Sequence, residues 1–266
     1  MAYVRSFLLG CALAGFFLIG VPVQWVAIRL NLKFQDWMPQ FFSRTMCSLL
    51  RVRVSSHGNP SSIRPRLIVA NHISWADILV LGALEPVCFL AKAEVADWPG
   101  FGALAKLQRS IFVNRGRKMG LPAVNSAMAD RMVEGVPVVL FAEATTSDGT
   151  HLMKFHAVHL AAARDLLAKY TEVDHVVVQP ISIIYQAQHG LPMGRKGQPN
   201  IAWYGDMDMP SHLWALIKGG PIHCRVFYGS ALIFDRRSNR KESTHQARKA
   251  IRQMIDEART GYAEVQ

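Results

Sequence analysis

From Ser6 to Ile28 the chain reads SFLLGCALAGFFLIGVPVQWVAI, with no charged side chain and with Gln24 as its only strongly polar residue. A helix over this run is about 35 Å long, enough to cross a hydrocarbon layer of about 30 Å. Gly10, Gly15, Gly20 and Pro22 weaken a helix in water but are ordinary in membrane helices. A secretory signal is the rival reading, and the short start with Arg5 fits it. The apolar run exceeds the usual core of about 7–15 residues, however, and basic residues follow at Arg29 and Lys33. A retained membrane helix is the expectation. Arg29, Lys33 and Arg44 outnumber Arg5, which places the bulk of the chain on the cytoplasmic side. Residues 34–54 carry Phe34, Trp37, Met38, Phe41, Phe42, Met46, Leu49 and Leu50 at roughly helical spacing. They read as a second, amphipathic helix in the membrane interface, with a soluble core helix as the alternative.

A polar break, SHGNPSSIRP at 56–65, separates this N-terminal part (1–54) from the remainder (55–266). Beyond it, short apolar runs alternate with helical patterns. Leu67–Ala70, Val87–Ala91, Ile111–Val113, Val136–Phe141 and Val176–Ile184 are rich in Val and Ile, and several show no alternation, as in strands covered on both faces. Asp77–Leu84, Leu121–Glu134 and Phe155–Lys169 read as helices. Residues 201–205 and 223–228 are candidate edge strands, and 241–259 an amphipathic C-terminal helix. This order predicts an α/β domain with a largely parallel or mixed sheet flanked by helices.

Half of the 266 residues are hydrophobic, which argues against disorder. The charge is +11, from 30 Lys and Arg against 19 Asp and Glu. A basic surface suits nucleic acid, anionic lipid or simple solubility. No helix-turn-helix, finger or arginine-rich block supports nucleic acid, whereas the N-terminal run favours a membrane. Cys11, Cys47, Cys88 and Cys224 are too scattered for a redox pair or metal knuckle, and read as buried free thiols.

Three clusters carry candidate chemistry. The first is NHISWAD (71–77), at the end of a predicted strand, where α/β folds commonly hold functional groups. His72 and Asp77 would point about 140° apart on one helix. They pair if His72 is in the loop and Asp77 in the first helical turn. The carboxylate then takes one imidazole nitrogen and leaves the other as a base. A plain helix cap by Asp77 is the alternative. The second cluster is FAEATTSDG (141–149), after the strand VPVVLF. Glu143 is a carboxylate at a buried strand end and needs a partner, which a substrate group would supply. The third spans Lys92 to Arg115, two cations suited to a phosphate or carboxylate, or to a solvated surface. No G-x-S-x-G, G-x-G-x-x-G or G-x-x-x-x-G-K-[ST] occurs. His151, His156 and His159 form a loose trio, but nothing beside them completes a zinc pattern.

Taken together, the clusters resemble the motifs of the glycerophosphate acyltransferase superfamily, in particular its bacterial lysophosphatidic acid acyltransferase-like members. NHISWAD matches N-H-x-x-x-x-D. Lys92, Pro99, Gly102 and IFVNR (111–115) resemble the second motif, FAEATTS the third (usually F-P-E-G-T-R-S), and Gln179-Pro180-Ile181 the fourth, all within 66–184. The resemblance implies a glycerolipid acyltransferase-like α/β fold with N-terminal helices in the bilayer and a hydrophobic channel for the acyl chain. It implies His72 as general base with Asp77 orienting it. Lys92 and Arg115 would meet the acceptor headgroup, and Glu143, Ala144, Thr145 and Thr146 would shape the acceptor site. The donor would be acyl-CoA or acyl-acyl-carrier-protein, with no metal or prosthetic group. The setting would be the cytoplasmic face of a bacterial inner membrane, whose anionic lipid suits the basic surface.

The acceptor most directly implied is 1-acyl-sn-glycerol-3-phosphate, giving phosphatidic acid. The third motif departs from the usual form, however, with Ala142, Ala144 and Thr146 in place of Pro, Gly and Arg. Losing that Arg removes a bidentate phosphate partner. The Thr-Thr-Ser-Asp-Gly version resembles a subgroup that includes lyso-ornithine lipid O-acyltransferases, so that lipid is the alternative acceptor. Gln179 stands where the fourth motif usually has a small apolar residue.

Overall fold

A computed structural model describes residues 2–114, 120–158 and 160–260. The apolar start is helical throughout: α1 (Ala2–Gly15) runs through a π-helical segment (Phe16–Gly20) into α2 (Val21–Arg29). Tyr3–Arg29 is long and apolar enough to cross a membrane by length and composition, with a mean hydropathy of 2.2. Its outer stripe, including Phe7, Leu18, Ile19 and Trp25, is exposed, while Leu9 and Ala27 are buried. Arg5 Nη1 donates to Gly219 O at 3.3 Å near one end. Near the other, the amide of Gln24 donates to Gln35 O at 2.6 Å and Leu107 O at 3.0 Å. The one strongly polar side chain of the apolar run therefore faces protein, where its donors are satisfied.

The segment expected as one amphipathic helix over 34–54 divides. A 3₁₀ turn (Lys33–Asp36) leads into α3 (Trp37–Leu49), and a strand, β1 (Val52–His57), follows. Val52-Arg53-Val54-Ser55 alternates with period two, which is strand patterning. The boundary expected at 54/55 thus falls inside β1.

The α/β part then runs β2 (Arg66–Ala70), α4 (Ala76–Leu84), β3 (Cys88–Lys92), α5 (Phe101–Leu107), β4 (Ile111–Val113), α6 (Leu121–Val133), β5 (Val138–Phe141), α7 (Ala161–Lys169), β6 (His175–Gln188), β7 (Leu191–Pro192), α8 (Met209–Lys218), β8 (Ile222–Tyr228), β9 (Leu232–Asp235) and α9 (Arg240–Thr260). The sheet order is β1-β8-β6-β2-β5-β3-β4, with β7 and β9 also on β6. From β6 to β4 neighbours are parallel, as are β1 and β8, whereas β6 runs antiparallel to β7, β8 and β9. This is the mixed sheet the pattern predicts. Every residue of β2 is buried. Leu67 and Val69 join a core with α6, α7 and α9, while Ile68 and Ala70 join one with α3, α4 and α8. Two-faced burial is the reason the strand reads as an unbroken apolar run.

Some expectations need correction. Residues 201–205 form a loop, although Ile201 and Ala202 are buried. The helix expected from Phe155 starts at Ala161, because His156 N donates to Ala142 O at 2.8 Å and holds the preceding segment beside β5. Cys11 is exposed on α1, whereas Cys47, Cys88 and Cys224 are buried, all four as free thiols. Gln179 has a structural account: its Oε1 accepts from buried Arg66 Nη1 at 2.8 Å, and Arg66 also pairs with Glu85. An apolar residue there would remove an acceptor from a buried guanidinium and leave one of its N–H groups unpaired.

Candidate active site

The site forms where β2 and β5 end side by side, Ala70 being the partner of Phe141. Just past β2, the side chain of Asn71 continues the ladder towards β6, donating to Ile183 O at 3.0 Å and accepting from Ile183 N at 2.8 Å. The chain then turns, and His72 stands in the loop with Asp77 in the first turn of α4. His72 Nδ1 lies 2.9 Å from Asp77 Oδ2, the two groups five residues apart as the motif requires. The same oxygen accepts from Ile73 N at 2.7 Å and Ser74 N at 2.9 Å, so Asp77 is turn-former and imidazole partner together. Its other oxygen accepts from Tyr185 Oη at 2.7 Å. Four groups thus surround the carboxylate, three at Oδ2 and one at Oδ1. Asp77 is fully buried. The His72 ring stacks on Phe141, with centroids 3.8 Å apart and planes within 10°. Its Nε2 has no hydrogen-bond partner among the described residues.

Glu143 is buried too, and its partners are the protein's own backbone. Oε1 accepts from His72 N at 2.8 Å and Oε2 from Met153 N at 2.8 Å. The sequence reading looked to a substrate group for this partner; the carboxylate instead ties the loop after β5 to the loop after β2. Ser147 N adds a bond to His72 O at 2.9 Å. Burial pushes the Glu143 carboxyl up to about 7, helped by the nearby Asp77 charge and opposed by the two backbone N–H groups and Arg248. Ala144 sits at φ +60°, the left-handed region. That conformation is why glycine is usual there, and a methyl group is carried at some cost.

His72 lines an apolar cavity of about 550 Å³, which lies within the size range of small-molecule sites. Lys92, Thr145 and Thr146 also line it. The remainder is built by the membrane helix (Leu9, Leu13, Phe16), by α3 (Phe42, Met46), by α5 and by α8. Gly102 in α5 is needed for close approach, since a Cβ there would lie 2.2 Å from Ala96 O. The loop after Ile201 leads to Asp208, whose side chain accepts from Ser211 N and caps α8. This part of the chain is fastened twice to the turn between β2 and α4. Trp75 Nε1 donates to His212 Nδ1 at 3.0 Å, and Trp203 N to Ile73 O at 3.0 Å.

The structure therefore brings together His72, Asp77, Lys92, Glu143, Ala144, Thr145 and Thr146. Arg115 and His159 lie outside the described residues. Among the described residues no three His, Cys, Asp or Glu side chains converge as a metal-holding group. Tyr185 and Phe141 were missed as site residues. Tyr185 directly follows the apolar run of β6, and a tyrosine ending a buried strand needs a hydroxyl partner, which was the available signal.

The acyltransferase family model matches residues 51–184. The chain is 40% identical to the lyso-ornithine lipid O-acyltransferase of Rhizobium meliloti, over 97% of this chain and 88% of that protein. It is 30% identical to the 1-acyl-sn-glycerol-3-phosphate acyltransferase of Neisseria meningitidis, over 64% of this chain and 62% of that one. The fold resembles the crystal structure of the 1-acyl-sn-glycerophosphate acyltransferase PlsC from Thermotoga maritima, with a TM-score of 0.65 and 18% identity over 97% of both chains.

Proposed function

The chain belongs to the acyltransferase family, as an O-acyltransferase acting on a lyso-lipid acceptor, and on that footing we propose lyso-ornithine lipid as its acceptor and His72 as its general base. The observation that carries the base assignment is the His72–Asp77 pair, with His72 on the wall of the apolar cavity and Asp77 buried behind it. Asp77 fixes the ring through Nδ1, and Nε2 takes the proton from the acceptor hydroxyl. The hydroxyl oxygen attacks the thioester carbonyl, the carbon–sulfur bond breaks, and the leaving thiolate recovers the proton from the imidazolium. Oxygen replaces sulfur on the acyl group without a covalent enzyme intermediate. The cavity holds the acyl chain against the membrane helix, α3 and α5. Glu143 keeps the His72 backbone in register.

Two observations favour lyso-ornithine lipid. Thr146 sits on the cavity wall where the third motif usually offers an arginine to a phosphate. The likeness to the Rhizobium enzyme also runs nearly end to end, whereas that to the Neisseria enzyme covers under two thirds of the chain. Lysophosphatidic acid is kept as a second acceptor because the cation of Lys92 stands at the same cavity. The donor is acyl-acyl-carrier-protein or acyl-CoA. Tyr3–Arg29, with its exposed outer stripe, sits in an inner membrane, and residues 55–266 work on the cytoplasmic face, next to anionic lipid.

Acyl transfer by the membrane-embedded enzyme tests the reading. Each lyso-lipid is offered separately with labelled acyl-acyl-carrier-protein. Preferential acylation of lyso-ornithine lipid is expected. Exclusive use of lysophosphatidic acid would overturn the acceptor assignment.

A further inference from the structure

The loop from Gly149 to Met153 presents its backbone carbonyls to the C-terminal helix. Arg259 Nη2 donates to Gly149 O at 2.6 Å and Nη1 to Thr150 O at 3.3 Å. Arg248 Nη2 donates to Leu152 O at 3.2 Å and Nε to Met153 O at 3.0 Å. Both arginines lie on α9, eleven residues apart, three turns along one face. Ile251 and Ile255, between them, are anchored in the core, so the helix is a fixed support. The amide of Met153 then donates to Glu143 Oε2, and Glu143 Oε1 accepts from His72 N. Four guanidinium bonds and two carboxylate bonds thus connect α9 to the backbone of the base. The two arginines lie beyond the four motifs, which end at residue 184.

We propose that Arg248 and Arg259 are positioning residues for acyl transfer, holding loop 149–153 so that Glu143 keeps His72 in its reactive orientation. The proposal rests on the reading of His72 as base. Loss of either arginine leaves carbonyls free to turn to water, loosens the Met153 amide, and lets His72 drift relative to the acceptor hydroxyl. A shift of this kind lowers turnover more than it lowers binding.

The charged groups facing Glu143 make the device readable by pH. Asp77 faces it from α4, His72 from the turn after β2, Arg248 and Arg259 from α9, and His151 from its own loop. As a carboxylate, Glu143 accepts from both amides. When protonated, one oxygen becomes a donor and the amide on that oxygen is held more weakly. Activity therefore declines as pH falls through the Glu143 range. Removing the Arg248 charge weakens support for the carboxylate and moves that limb to higher pH.

The test uses the full-length, membrane-embedded enzyme with R248A, R248K, R259A and R259K, and with H72A as reference. The alanine variants are expected to lose kcat by on the order of tenfold or more, with the acceptor KM within about threefold. R248A is expected to shift the acid limb of kcat upward, and R248K to restore it. Folded fraction, from thermal unfolding in detergent, normalises each rate. Wild-type kcat in both alanine variants, or a loss that only tracks folded fraction with the limb unmoved, would overturn the proposal. Substantial turnover in H72A would overturn the base assignment separately.

Discussion

Tyr185, wholly buried at the far end of β6, donates its hydroxyl to Asp77 Oδ1 at 2.7 Å and thereby completes the shell around the partner of His72. The contact spans 108 residues of sequence. Tyr185→Phe leaves one buried carboxylate oxygen without a partner, at a cost of about 1–3 kcal/mol in stability. The carboxylate is then freer to turn from the imidazole, and kcat is expected to fall by roughly fivefold or more. Thermal unfolding and kcat at saturating acceptor check the two effects. Wild-type values for both would show that Tyr185 is a bystander.

That bond also shows where sequence reading stops. His72 and Asp77 were legible because five residues and one turn bring them together. The strands β2, β5 and β6 were legible because burial on both faces leaves an unbroken apolar run. Tyr185 ends an apolar run that signals a buried hydroxyl but not its partner, and Arg248 and Arg259 reach the site only through the folded chain, with no local pattern to announce them. Glu143 was legible as a buried carboxylate, but its partners are backbone amides, which the sequence does not distinguish. β1 was hidden because its strand alternation directly follows a helical pattern, and 201–205 looked like a strand because its apolar residues are buried by tertiary packing.

Glu143 should make stability depend on pH. Its folded value of about 7 lies above the ordinary 4.5. The neutral form is the better tolerated one, so the contribution to stability is full below about pH 4.5 and is lost as pH rises through 7. Glu143→Gln has no such dependence. Between pH 4.5 and 8 the stability difference should move in favour of the glutamine variant by about 3 kcal/mol. Parallel curves for the two proteins, from unfolding in detergent at each pH, would contradict this.

Thr146 should help to set the acceptor. Thr146→Arg restores a fork that matches phosphate. The ratio of kcat/KM for lysophosphatidic acid to that for lyso-ornithine lipid is expected to rise by about tenfold, equal to about 1.4 kcal/mol. An unchanged ratio would remove Thr146 from the account of specificity.

The N-terminal helix forms part of the cavity wall. Leu13 lies on that wall, so Leu13→Trp should shorten the acyl chain the cavity accepts. Each methylene excluded costs about 0.8 kcal/mol, or about fourfold in relative kcat/KM. Competition between donors of different chain length reads this directly. An unaltered preference would place the acyl chain elsewhere.

The most direct test of the account is the single-turnover rate of acyl transfer in His72→Ala, in membranes free of other acyltransferases. A fall by on the order of a thousandfold, with membrane association and thermal unfolding unchanged, is the predicted result. Turnover at the wild-type rate would contradict the assignment of His72 as the base.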